Sequence, residues 1–375
     1  VSLRRLLNER AATALARRGF RGGTGGSPTI IRGVRLGIIG CGYVTLDRHL
    51  QALRHVPEIE VVAVADAAPE RAAEAAQRAG ARAVDVDALL GDGAVEAIAV
   101  CTPPATHAEL AVAALDAGKH LFLEKPLAPS LEEADRIVER AARSSRQVLV
   151  GLNFRRHRLV ERARDVVREG RLGRIQAVRS AFTNPVLDEE IAWKTQRPLA
   201  GGALVDRAVH HFDLWRFVLG EEIAEVFALT RSERGDDQST LVTARTTAGT
   251  PLTTLALDDS VVTHDLTVYG SEAAVVSDLC RFEGFDVAPR TELPGSPTAR
   301  LRRARDAVRR PGESLRAVRG GGDFRLSYVE QWRHFARAVR GEVAASPTLA
   351  DGRAALEVAL AAARSADSGA AVRLR

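Results

Sequence analysis

Cysteine is scarce in this chain of 375 residues, with Cys41, Cys101 and Cys280 the only three. Their positions match no metal-ligand spacing and no disulfide framework, which excludes a stapled secreted domain and a zinc module and leads us to expect a reducing cytoplasm and no metal. No apolar run approaches the roughly 20 residues that a membrane-spanning helix needs, so no membrane partner is expected. Methionine is absent, so Val1 is read as following a trimmed or misassigned start. Lysine is nearly absent too: Lys119, Lys125 and Lys194 are the only ones among 53 basic residues. An ammonium and a guanidinium are not interchangeable, so each of these lysines calls for a chemical reason.

What is present is an ordinary globular composition, 46% hydrophobic and 27% charged, in a chain long enough for two domains. The net charge of +5 is local in origin. Residues 1–35 carry eight arginines against Glu9, and residues 299–319 carry eight against Asp306 and Glu313, so the remaining body is acidic. That pattern argues against a nucleic-acid surface spread over the protein. The basic segment 299–319 has no aromatic residue, so base stacking finds no support and no nucleic-acid partner is expected. A phosphate-bearing substrate or a subunit contact is the milder expectation for it.

Residues 1–33 read as a basic tail or arm: a helical pattern over 1–20, then a Gly-rich linker from Gly22 to Pro28. Arg4 and Arg5 suggest a twin-arginine signal, but Asn8, Glu9, Arg10, Arg17 and Arg18 interrupt any apolar core, so no leader peptide is expected. From Val34 the pattern becomes regular. Strands are predicted at Val34–Ile39, Glu60–Ala65, Val95–Val100, His120–Leu123 and Gln147–Gly151, with helices at 43–56, 69–79, 105–117 and 130–144 between them. This alternation implies an α/β, doubly wound parallel sheet over 34–152. Residues 153–375 read as an α+β domain with a mostly antiparallel sheet: helices at 155–169, 203–219, 326–340 and 349–366, and strands at 174–183, 223–231, 239–248, 252–258 and 264–270. Thr247–Thr250 reads as a hairpin turn, and 281–323 as a basic insertion with a helix at 299–310.

Two places carry the chemistry. Gly40-Cys41-Gly42-Tyr43-Val44-Thr45 follows the first strand and opens a helix, the setting in which glycines let a backbone approach a pyrophosphate at a helix N-terminus. Thr45 replaces the usual third Gly or Ala. Asp66 ends the second strand about 20 residues past the turn, where a carboxylate accepts from a ribose 2′-OH and repels a 2′-phosphate, so NAD is favoured over NADP. Thr102, Pro103, His107, Glu124 and Lys125 sit at or near the carboxyl edge of the same sheet, where open α/β folds bind ligands. Thr102 and Ser130 read equally well as simple caps.

The second place is the helix from Gly201 to Gly220. Asp206, His210 and Asp213 are spaced by four and three and share one face. His211 is turned about 100° away, so the spacing selects His210 over its neighbour. Read alone, this face suits equally a solvated surface and a base held by a carboxylate one turn earlier.

Taken together, GCGYVT (40–45), Asp66, CTPPATH (101–107), LEKPL (123–127), GLNFRR (151–156), GGALVDRAVHHFD (201–213) and SYVEQWRHFARAVRGE (327–342) resemble the Gfo/Idh/MocA oxidoreductases, from about Val34 to the C-terminus. The resemblance implies a Rossmann domain and an open-faced sheet used for homodimer or homotetramer contacts. It makes Lys125, Asp206 and His210 the catalytic residues, with His210 the general base, Asp206 orienting it and Lys125 polarising the reacting oxygen. It places Gly40, Gly42, Tyr43, Val44, Asp66, Thr102, Pro103, His107, Glu124 and Lys125 at the cofactor, and Asn153, Arg155, Trp193, Lys194 and His211 at a sugar or polyol substrate. A catalytically silent ligand sensor on the same fold is the alternative; loss of Lys125 or His210 would favour it, and both are present. Thr45, Arg207, Ala208 and the segment 299–319 depart from the family pattern, which commonly has an apolar residue and Gly at 207 and 208.

Overall fold

The computed structural model describes residues 33–185, 191–293, 295–309, 315 and 317–374. The expected N-terminal helix and linker, and residues 310–314 and 316 of the basic segment, lie outside the described residues.

The first sheet grows from short apolar runs buried on both faces, as parallel strands between helices must be. Its strands are β1 (Val34–Ile39), β2 (Ile59–Ala65), β3 (Arg82–Ala83), β4 (Ala97–Val100), β5 (His120–Leu123) and β6 (Val148–Val150). All pair in parallel in the order β3-β2-β1-β4-β5-β6, the doubly wound arrangement expected. The connections are α1 (Leu50–Leu53), α2 (Pro69–Ala79), α3 (Val86–Gly91), α4 (His107–Asp116) and α5 (Leu131–Ala142). Ser130 caps α5, its hydroxyl accepting from Glu133 N at 3.2 Å, the bland role foreseen for it. β3 and α3 were not legible as elements, because two exposed residues and a six-residue helix carry too little periodicity.

The second sheet has eight strands: β7 (Ile175–Thr183), β8 (Ile223–Arg231), β9 (Ser239–Thr246), β10 (Pro251–Leu257), β11 (Thr263–Gly270), β12 (Ala273–Asp278), β13 (Phe285–Pro289) and β14 (Val372–Arg373). Their order is β13-β12-β11-β7-β10-β9-β8-β14, antiparallel except for β7 beside β10. β9 and β10 form the expected hairpin, with Gly249 at φ 92° and Thr246 N donating to Thr250 O at 3.0 Å. One expectation is corrected. Residues 285–289 belong to the sheet as strand β13 and are not part of an insertion, because Val287 pairs with Val275 and packs on the core beneath.

Five further helices, α6 (Arg158–Arg168), α7 (Ala208–Leu219), α8 (Pro297–Arg309), α9 (Asp323–Val339) and α10 (Leu349–Ser368), complete the described fold. α9 returns to the first sheet, where Trp332 stacks on Phe122 of β5 at 4.3 Å and shares a core with Leu36 and Ile38 of β1. α10 spans both cores: Leu349, Leu356 and Leu360 join the other face of the first sheet, and Val358, Ala359 and Ala361 to Ala363 pack under the second. The site therefore sits on a frame braced from far along the chain.

Candidate active site

β1 delivers the chain into the glycine turn. Gly40 has φ 96°, and a Cβ there would stand 2.6 Å from the Cys101 carbonyl carbon, so the turn has room for no side chain. A Cβ on Gly42 would meet nothing within 4 Å, so there is open space beside the turn at this position. Thr45 at the third position is fully buried, and its hydroxyl donates to Gly40 O at 2.6 Å. The predicted helix opens here as a π-turn over Thr45–His49. Val44 precedes that turn half-buried, and Tyr43 is exposed, its hydroxyl accepting from Arg48 at 2.8 Å.

Asp66 is tied down more firmly than a simple ribose acceptor would be. It accepts from Cys41 N at 2.7 Å, Ala68 N at 2.8 Å and the Arg71 guanidinium at 2.9 Å. Burial alone would raise its pKa, but these hydrogen bonds and the Arg71 charge outweigh it and hold the carboxyl below its ordinary value.

The loops at the carboxyl edge of β4 and β5 are braced from beneath. His107 is fully buried, with Nε2 2.9 Å from Thr102 O and Nδ1 3.0 Å from Pro126 O. Thr102 is half-buried beside the exposed Pro103, and its hydroxyl accepts from Thr106 at 2.7 Å. Glu124 accepts from Lys125 N at 3.0 Å and lies 3.0 Å from His49 Nε2 inside the protein. His107 and Glu124 thus hold the loops that carry Thr102 and Lys125.

Lys125 reaches across to the 201–219 segment, its Nζ donating to Asp206 Oδ1 at 2.7 Å and to Asp206 O at 2.9 Å. Asp206 lies in a second π-turn, Ala203–Arg207, that leads into α7. Burial raises its pKa, but the charges of Lys125, Arg207 and Lys194 prevail and keep it ionised. His210 is buried within α7, packs edge-on against Phe154 at 4.6 Å, and has Nδ1 without a hydrogen-bond partner among the described residues. Desolvation and the Lys125 charge hold the imidazole well below its ordinary pKa, against the pull of Asp206, so it is neutral near pH 7. Asp206, expected to orient His210, has its carboxylate on Lys125 and acts on the imidazole through charge.

Trp193 and Lys194 lie half-buried in a short 3-10 turn, Ala192–Thr195, with Lys194 Nζ 6.0 Å from the Trp193 ring centre. Gly201 makes this placement possible: a Cβ there would fall 2.0 Å from Trp193 O. The other expected substrate contacts are turned inward. Asn153 donates to Ser327 at 2.9 Å. Arg155 is buried on Asp213, which had been read on the catalytic face, and on Asp351. His211 is fully enclosed, stacked with Phe182 and 5.2 Å from His264. Arg207, Phe182 and His264 stand around the site without having been expected there. Arg207 alone left a signal, as a departure from the family pattern.

Two family models match in succession: the Gfo/Idh/MocA "oxidoreductase family, NAD-binding Rossmann fold" over residues 34–152, and the Gfo/Idh/MocA C-terminal domain over 160–276. The chain belongs to this family. A myo-inositol 2-dehydrogenase of Thermotoga maritima is 30% identical over 52% of the chain, an alignment that spans 58% of that relative's length. Two solved structures share the fold. One is a levoglucosan dehydrogenase in complex with NADH and levoglucosan, with TM-score 0.80 and 24% identity over 92% of this chain and 100% of that one. The other is the WlbA dehydrogenase of Bordetella pertussis in complex with NADH and UDP-GlcNAcA, with TM-score 0.78 and 21% identity over 92% and 98%. No helix among the described residues is long and apolar enough to cross a membrane.

Proposed function

We propose that this family member is an NAD-dependent oxidoreductase that moves hydride between nicotinamide and a secondary alcohol or ketone of a sugar, cyclic polyol or nucleotide sugar. The observation that carries the reading is the Lys125–Asp206 contact, which sets an ammonium beside the helix bearing neutral His210, at the carboxyl edge of a sheet with an open glycine turn. The substrate classes follow those of the named relatives and structural neighbours. The bound dinucleotide would accept or supply the hydride. Gly40 lets the turn pass close to Cys101, Gly42 leaves the phosphates room, and ionised Asp66 disfavours the extra phosphate of NADP.

The chain's own residues then divide the work. In the oxidative direction Lys125 hydrogen-bonds the reacting oxygen and favours its developing negative charge. His210 takes the hydroxyl proton, a task that requires the neutral ring this environment maintains. Asp206 holds Lys125 in place and acts on His210 through charge. The test is turnover with NAD and a panel of polyols, sugars and nucleotide sugars, read at the reduced cofactor's absorbance. Lys125→Ala and His210→Ala should each lose about 10²–10⁴-fold in turnover while still binding NADH; unchanged turnover in either variant overturns the assignment.

Self-association is part of the same reading. Leu229, Leu241 and Leu255 are register partners on adjacent strands β8, β9 and β10, and all three are exposed, at 57%, 41% and 36%. Such an apolar row on an open sheet face suits a second copy of the chain, as a homodimer or homotetramer. Light scattering before and after Leu241→Arg measures this, and a monomer before the change refutes it.

A further inference from the structure

Nothing in the proposed hydride transfer uses Arg207. It follows Asp206 at the end of the π-turn, with its side chain 14% exposed. Its Nε donates to the buried Asp258 carboxylate at the end of β10. The guanidinium carbon lies 6.0 Å from the Phe182 ring centre, and His210 lies 6.1 Å from the same ring. The Arg207 charge acts on both Asp206 and His210. Among the described residues its two Nη nitrogens donate to no protein group.

A guanidinium pinned along one edge has lost most of its rotamer freedom, so its other nitrogens are aimed in advance. Planar donors of this kind match two oxygens of a carboxylate or phosphate. The surroundings are cationic as well: the charges of Lys125 and Lys194 act on Asp206 beside that of Arg207.

We propose that Arg207 is an anion receptor in the substrate site, and that the preferred substrate is a sugar or polyol bearing a carboxylate or a phosphate near the reacting carbon. This rests on the hydride-transfer reading above and narrows its substrate class.

The experiment compares matched sugars, a neutral hexose with its uronate and its monophosphate, and myo-inositol with its monophosphate. Each is titrated into the NADH-loaded protein, followed by cofactor fluorescence, and then assayed for turnover with NAD. One anionic member should bind at least about tenfold more tightly than its neutral counterpart. The uronate and phosphate arms separate the two sources of charge. Arg207→Gln should bring that ratio close to one, mainly through KM, and Arg207→Lys should recover part of it. Melting temperatures of both variants identify a folding defect, and Asp258→Asn, which frees Nε while keeping the guanidinium, should weaken the preference without abolishing it. Equal binding of neutral and anionic sugars by the wild-type protein overturns the proposal, as does a preference that survives Arg207→Gln. Binding of the anion without any turnover would instead count against hydride transfer and leave the receptor standing.

Discussion

The Asp206 carboxylate accepts a 2.7 Å hydrogen bond from Lys125, a residue 81 positions earlier, and leaves His210, four positions later, to be influenced by charge alone. That contact ties the loop after β5 to the turn that opens α7.

Asp206→Asn removes the charge that draws Lys125 into place. We expect turnover to fall about 10²-fold. The acid limb of the pH profile should also move to lower pH, because Asp206 is what favours the charged form of His210. A fall in turnover with an unmoved limb would mean that Asp206 only positions Lys125.

Cofactor choice should respond to Arg71. Its guanidinium offsets the Asp66 charge at the ribose edge and is itself half exposed. Arg71→Ala should lower the NADP-to-NAD ratio of kcat/KM, since Asp66 would keep its backbone hydrogen bonds and its charge but lose its counter-ion. Asp66→Ser should raise that ratio. Steady-state kinetics with both cofactors decides the matter.

Acid should destabilise the fold before it affects most surface groups. Burial pushes His211 down to about 3 and His157 to about 4. Both are therefore neutral in the folded state at pH values where the unfolded chain, with a histidine pKa of about 6.5, binds protons. Stability is full above that pH and is lost as pH falls toward 4, at up to about 1.4 kcal/mol per pH unit for each ring. Thermal melts between pH 7.5 and 4.5 should show the fall. His211→Phe, which keeps a ring between Phe182 and His264, should flatten it.

Trp332→Ala tests the brace from α9. The side chain is fully buried, stacks on Phe122 and donates to His49 Nδ1 at 3.2 Å. Its removal should cost about 3–5 kcal/mol, read as a lower urea midpoint, with Trp332→Phe costing less.

Much of this protein was determined by its sequence alone. Five of the six strands of the first sheet follow from apolar runs alternating with helical periodicity, which are local properties; only the short, exposed β3 does not. The glycine turn and Asp66 are equally local, because a tight turn restricts which residues can follow a strand. Lys125, Asp206 and His210 stood out through spacing and family resemblance.

Only the tertiary structure decided which side chain holds which. A buried polar group must find a partner, and that partner is often far along the chain: Ser327 for Asn153, Asp351 for Arg155, Pro126 for His107. Residues that looked poised for a ligand were therefore satisfied from within. Arg207, which looked like a departure, kept its Nη edge unclaimed by the described residues. Periodicity tells which face of an element is buried, but only the packing of distant elements sets which charge lies beside which.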